Sequence, residues 1–135
     1  MGPIHQLLAI FVLGALSCFA EDCKTSRKWL AAKEECEKEM SEQNACFWNC
    51  MYEEVRALDT YGRLSKERSP DALKKVIEEP ELREAVDKTI ASCLSQVRDE
   101  IDPCNQSKML HECLWSDEEF LEAMKAANHC VMTPQ

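Results

Sequence analysis

The sequence predicts an all-α fold, a compact disulfide-stapled bundle of about six helices around an apolar cavity. Three observations carry that prediction. Only three glycines occur, two of them within residues 1–20, so hairpin turns have almost no material. Apolar residues recur at helical spacing along the rest of the chain, and no run alternates apolar and polar over the length of a strand. Eight cysteines follow the N-terminal apolar segment, an even number suited to bridging short helices. With no repeat, low-complexity tract or linker, residues 21–135 read as one domain.

The chain opens on an apolar run, Leu7 to Leu16, too short for a bilayer that needs about 20 residues. It ends in Ser17-Cys18-Phe19-Ala20, with small residues at the two positions a signal peptidase reads. Residues 1–20 are therefore expected to be a signal peptide cleaved after Ala20, in a secreted, extracellular protein. Acylation at Cys18 is the competing reading, because Ala15-Leu16-Ser17-Cys18 loosely resembles a lipobox.

A first, charged helix is expected from Glu21 to about Met40, with Trp29, Leu30, Ala32 and Cys36 as its buried stripe. The second should run from about Glu42 to Leu58, where Phe47, Met51, Val55 and Leu58 form one apolar face. Asp59-Thr60-Tyr61-Gly62 should end it, Gly62 taking the left-handed conformation of a helix stop. Ser69-Pro70-Asp71 reads as the start of a short helix, with Ser69 as cap and a stripe of Leu73, Val76 and Ile77. Pro80 interrupts it and begins a fourth helix, whose stripe is Leu82, Ala85, Val86, Thr89, Ile90, Cys93, Leu94 and Val97. Asp102-Pro103 caps a fifth, carrying Cys104, Leu110, Cys113 and Leu114. Ser116-Asp117-Glu118-Glu119 reads as a capping box for the last, with Phe120, Leu121, Met124 and Ala127 on one face.

Charge and motifs narrow the function. With 25 acidic and 16 basic residues the net charge is −9, which repels phosphate backbones and anionic membranes. No nucleic-acid partner and no membrane insertion are expected; the same charge also serves to keep a concentrated protein soluble. An enzyme is not expected: the chain has no His-Asp dipeptide of the secreted phospholipase kind, and Gly62 is the single glycine beyond residue 20, which leaves no nucleophile elbow. Zinc on His111, His129, Cys46 and Cys50 is the rival to disulfides, but no Cys-x2-Cys pair occurs, and neither a metal nor any other cofactor is expected. Asn105-Gln106-Ser107 is a glycosylation sequon placed awkwardly in the first turn of a helix.

Cys46-Phe47-Trp48-Asn49-Cys50 organises the rest. Its two thiols lie one helical turn apart on nearly one face, so one helix can be stapled to two neighbours. Cys93, Cys104 and Cys113 follow, the intervals after Cys50 being 42, ten and eight residues. This spacing resembles that of the insect odorant-binding proteins, the pheromone- and general-odorant-binding family. Met51-Tyr52-Glu53-Glu54 and Asp59-Thr60-Tyr61-Gly62-Arg63-Leu64 resemble the family's third helix and the turn after it. Asp102-Pro103-Cys104 through Cys113-Leu114 resembles the segment around its fifth and sixth cysteines, and the likeness covers about residues 25–130.

The family pairs its six cysteines first with third, second with fifth and fourth with sixth. At matching positions this implies Cys46–Cys104 and Cys93–Cys113. The first cysteine departs from the pattern, since 22 residues separate Cys23 from Cys46 and nine separate Cys36 from it, both fewer than is usual. The favoured set adds Cys36–Cys50 and Cys23–Cys130; the exchange, Cys23–Cys50 with Cys36–Cys130, stays open. The short gap also implies that the family's usual second helix is missing or reduced. Two extra cysteines resemble the family's cysteine-enriched branch, but where that branch has a proline this chain has Leu114.

The resemblance implies carriage of a small apolar ligand, an odorant, pheromone or other semiochemical, by a monomer or weak dimer that a chemosensory receptor recognises. Four bridges, each worth about 2–4 kcal/mol, can hold open an interior that packing alone would close. Candidates for the lining are Phe47, Met51, Val55, Leu73, Val76, Leu82, Val86, Ile90, Leu110, Leu114, Phe120 and Met124; helical spacing does not distinguish a cavity wall from plain core. His111 and His129 are candidates for a pH switch, against the alternative of surface histidines without a role. A secreted salivary or venom protein using its acidic surface, or a scavenger of host amines or lipids, is the other class.

Overall fold

Ser26 starts the first helix, its hydroxyl accepting a hydrogen bond from the Trp29 amide at 3.3 Å. In the computed structural model, which describes residues 23–132, that helix is α1 (Arg27–Glu37), and five more follow it: α2 (Phe47–Glu54), α3 (Ser69–Val76), α4 (Pro80–Val97), α5 (Pro103–Ser116) and α6 (Glu118–Ala126). No strand occurs among the described residues; two isolated bridges join Lys24 to His129 and Leu58 to Leu64. The domain is all-α, as its glycine poverty and periodicity predict. Residues 1–20, with the expected signal peptide, lie outside the described residues.

The two cysteine-rich helices form the centre. α2 packs against α1 and α5, α4 against α3, α5 and α6, and α5 against α6. Phe47, Met51 and Tyr52 of α2 are fully buried, and burial of each of the first two contributes about 1.5–3 kcal/mol. Four bridges tie the helices: Cys36–Cys50 joins α1 to α2, Cys46–Cys104 joins the start of α2 to α5, and Cys93–Cys113 joins α4 to α5. Cys23–Cys130 closes the two ends on each other, with Cα atoms 4.8 Å apart, beside backbone bonds from Lys24 to Asn128 and from Cys130 to Lys24.

Several boundaries differ from the sequence reading, each for a local reason. The first helix ends at Glu37 rather than Met40, and residues 38–46 make successive turns, the Asn44 side chain accepting from the Cys46 amide at 2.9 Å. The second helix accordingly begins at Phe47, not Glu42. It also ends at Glu54, not Leu58. Arg56 takes a left-handed φ of 64°, its amide bonding Glu53 and that of Ala57 bonding Tyr52. That pair of bonds is a Schellman stop built without glycine. Gly62, with φ 79°, instead turns the loop that follows, where Asp59 accepts from the amides of Tyr61 and Arg63.

Ser69 is the first residue of its helix rather than its cap; Ser65 supplies the capping oxygen one turn earlier, accepting from the Arg68 amide at 3.0 Å. Ser116 is likewise still helical, so the expected box moves to Asp117. That residue ends α5 and caps α6 at once, its carboxylate accepting from Phe120 at 2.9 Å. Leu30 is 46% exposed and Ala85 also faces solvent, so neither belongs to a buried stripe. Each lies one residue off the positions facing the core, a rotation of about 100°.

Candidate functional site

Six of the residues proposed for a lining converge on one hollow. Leu73 and Val76 enter from α3, Ile90 from α4, Leu114 from α5, and Phe120 and Met124 from α6. Trp29, Tyr52, Ile77 and Trp115 complete the apolar wall, and Ser26, His129, Cys130 and Met132 close its end. The cavity measures about 60 Å³. An apolar cavity of about 150 Å³ accepts a benzene ring, so this one takes a ring only if side chains move. Met124 and Met132, unbranched and adaptable, are the wall residues best suited to moving.

The other six proposed residues do not reach this hollow. Val86 and Leu110 are completely buried and Leu82 nearly so, packed as ordinary core. Val55 sits half-buried at the cap of α2. Phe47 and Met51 face a second, wider recess of about 510 Å³ between α1, the loop after it, α2 and α5. Trp29 and Met132 border both spaces, joined by a hydrogen bond from the indole Nε1 to the Met132 sulfur at 3.0 Å. They form the partition between hollow and recess.

Neither histidine is on the surface. His129 is buried at the closed end of the hollow, its Nε2 2.8 Å from Glu79 Oε2. The Schellman stop of α6 puts it there: Asn128 is left-handed with φ 63°, and the His129 amide returns to the Met124 carbonyl at 2.9 Å. Glu79 also bonds Lys24, and the two contacts hold its carboxyl down at about 2. One carboxylate thus binds Lys24, before the first helix, and His129, after the last.

His111 is 2% exposed and lies flat against Trp48, the ring centroids 3.5 Å apart. Both of its ring nitrogens are sealed from solvent, and the polar group set against the ring is the Met132 main chain. Burial lowers its pKa to about 4, the main chain at Met132 opposing the shift, so the ring is neutral near pH 7. Tyr52 is similarly desolvated; burial pushes its hydroxyl up and keeps it a neutral group.

Sequence reasoning missed two polar side chains that position these walls. Asn49 Nδ2 donates to Gly62 O at 2.9 Å, Pro103 O at 3.2 Å and Ser107 Oγ at 3.1 Å, locking α2 to the loop and α5. Gln106 accepts from the Leu64 amide at 2.8 Å and donates to Val97 O at 3.1 Å. The available signal was an asparagine inside a short helix, where its propensity is poor.

A small helical protein, stapled four times around an apolar hollow, is defined by what it leaves unfilled. The chain belongs to the PBP/GOBP family, whose model matches residues 14–117, more than half of its length. That family comprises the insect pheromone- and odorant-binding proteins, binders of small ligands rather than enzymes. The match stops at Asp117, so α6 and Cys130, which complete the hollow, lie beyond it. No curated protein and no solved structure matches the chain. Among the described residues no helix is long and apolar enough to cross a membrane.

Proposed function

We propose that this protein is a secreted carrier of small apolar odorants, pheromones or related semiochemicals, held in the hollow between α3, α4, α5 and α6. The observation that supports it is the convergence of apolar side chains from four helices on a space they do not fill. Filling that space with more core would stabilise the domain, so leaving it open serves the ligand. The leader-like residues 1–20 and the four bridges support an exported, oxidised protein. The size of the hollow favours short ligands of a few heavy atoms, with longer ones entering as Met124 and Met132 give way.

The lining includes no Asp or Glu, so nothing in it favours a charged amine over a neutral ligand. Binding an apolar naphthylamine probe to the oxidised chain tests the proposal. Saturable fluorescence at one probe per chain, displaced by short alcohols or esters, is the expected result. Absence of binding by thiol-free, helical protein at neutral pH refutes it.

A further inference from the structure

We propose that the Tyr52 hydroxyl is the polar anchor of the hollow, and that it makes a short neutral carbonyl compound, a ketone, aldehyde or ester, the preferred cargo. This deepens the carrier reading and rests on it. Tyr52 comes from α2 and is 1% exposed, its ring tilted against Trp29 with the centroids 5.7 Å apart. Among the described residues its hydroxyl has no hydrogen-bond partner. Unlike the ring nitrogens of His111, its oxygen is not sealed off, and the hollow is the space its side chain borders. Buried tyrosine hydroxyls ordinarily find a partner, so the group that pairs with this one comes from the hollow.

The other polar side chains of the wall are engaged or less enclosed. Ser26 accepts from the Trp29 amide, the Trp29 indole donates to Met132, and Lys24 and His129 share Glu79. Thr25 is half-buried and Trp115 is 5% exposed. The hydrogen on Tyr52 then decides the ligand class. A tyrosine hydroxyl donates one hydrogen and also accepts, whereas a carbonyl only accepts, so one bond between them leaves no hydrogen unpaired. An alcohol brings a second O–H; one bond between two hydroxyls leaves one hydrogen over, and Leu73, Val76, Ile90 and Phe120 around the hollow cannot accept it. A hydrocarbon would enclose the Tyr52 hydroxyl with no partner at all, the mismatch by which polar sites discriminate most strongly. An ionised ligand fares no better, because Lys24, the one lysine of the wall, is exposed and already paired with Glu79.

The test compares 2-pentanone, 2-pentanol and 2-methyl-1-pentene, nearly identical in shape, as displacers of the naphthylamine probe from the oxidised chain. The ketone should bind about tenfold more tightly than the alcohol. Tyr52→Phe removes the hydroxyl alone, and in it the affinity of the ketone relative to the alkene should fall about tenfold or more. In wild type the carbonyl stretch of bound, isotope-labelled 2-pentanone should lie at lower frequency than in hexane, and Tyr52→Phe should return it toward the hexane value. Since the hydroxyl bonds nothing within the protein, Tyr52→Phe should also keep or raise Tm. An unshifted stretch in wild type, an unchanged ketone-to-alkene ratio, 2-pentanol binding as tightly as the ketone, or a lowered Tm in Tyr52→Phe would each overturn the proposal and leave the carrier reading intact. Failure of the probe and all three compounds to bind wild type would overturn both.

Discussion

Protonation of His111 should make the protein acid-labile in a window where its carboxylates contribute little. The ring ordinarily titrates near 6.5 and here near 4, so folding favours its neutral form. Stability from this group is therefore complete above pH 6.5 and is lost as the pH falls toward 4. The full difference corresponds to about 3 kcal/mol, of which about 1.4 is gone by pH 5.5 and about 2.5 by pH 4.5. Lys33, Glu42, Lys108 and Glu112 are the charges around the same recess, and the two of each sign offset one another when the ring charges. Urea unfolding followed by far-UV circular dichroism at pH 7.0, 5.5 and 4.5 measures the effect. His111→Phe should remove this part of the pH slope, leaving only what the carboxylates contribute to both proteins, and should be at least as stable at pH 4.5. The same slope in wild type and variant would refute the reasoning, because it would show that the ring accepts a proton without cost.

Replacing Cys23 and Cys130 by Ser opens the bridge spanning 107 residues. Because the other three bridges already shorten that loop, a loss of about 4 kcal/mol is expected in a urea titration, with far-UV dichroism of the folded state retained. Arg56→Gly should stabilise by about 1 kcal/mol, since a non-glycine residue holds a left-handed φ there, whereas Gly62→Ala should cost about 1–2 kcal/mol. Space is not the obstacle at Gly62, where an added Cβ would meet its nearest neighbour, Pro103, at 3.9 Å; thermal unfolding of the two variants checks the opposite signs. Met124→Ala should cost about 2–5 kcal/mol and enlarge the hollow, so the preferred alcohol in probe displacement should lengthen by several carbons.

The charge of the surface and the chemistry of the interior are independent. The net charge of −9 belongs to exposed faces, while the hollow is walled by α3–α6 without a carboxylate. Glu79 is the one acid at its closed end that acts structurally, gripping Lys24 and His129 together. Chain ends and cavity are therefore coupled through one side chain and one disulfide.

What the sequence by itself determined is local. Pro80 to Val97 could be read as a helix to the residue, because proline at the first position and an unbroken apolar stripe are short-range signals. Asp102-Pro103 starts α5 for the same reason, the carboxylate accepting from the Cys104 and Asn105 amides at 2.9 and 3.3 Å. Family membership also rested on spacing along the chain. Only the tertiary structure decided which apolar residues border a void. Val86 and Leu114 follow the same periodicity, yet one is packed core and the other faces the hollow; periodicity gives the face of a helix, not the distance to what lies opposite. It likewise decided that α2 ends at Glu54, with a left-handed Arg56 turning the chain so that Ala57 and Leu58 are buried in the core. And it placed His111 in the dark against Trp48, a burial no neighbour in sequence encodes, since the two rings come from helices joined by Cys46–Cys104.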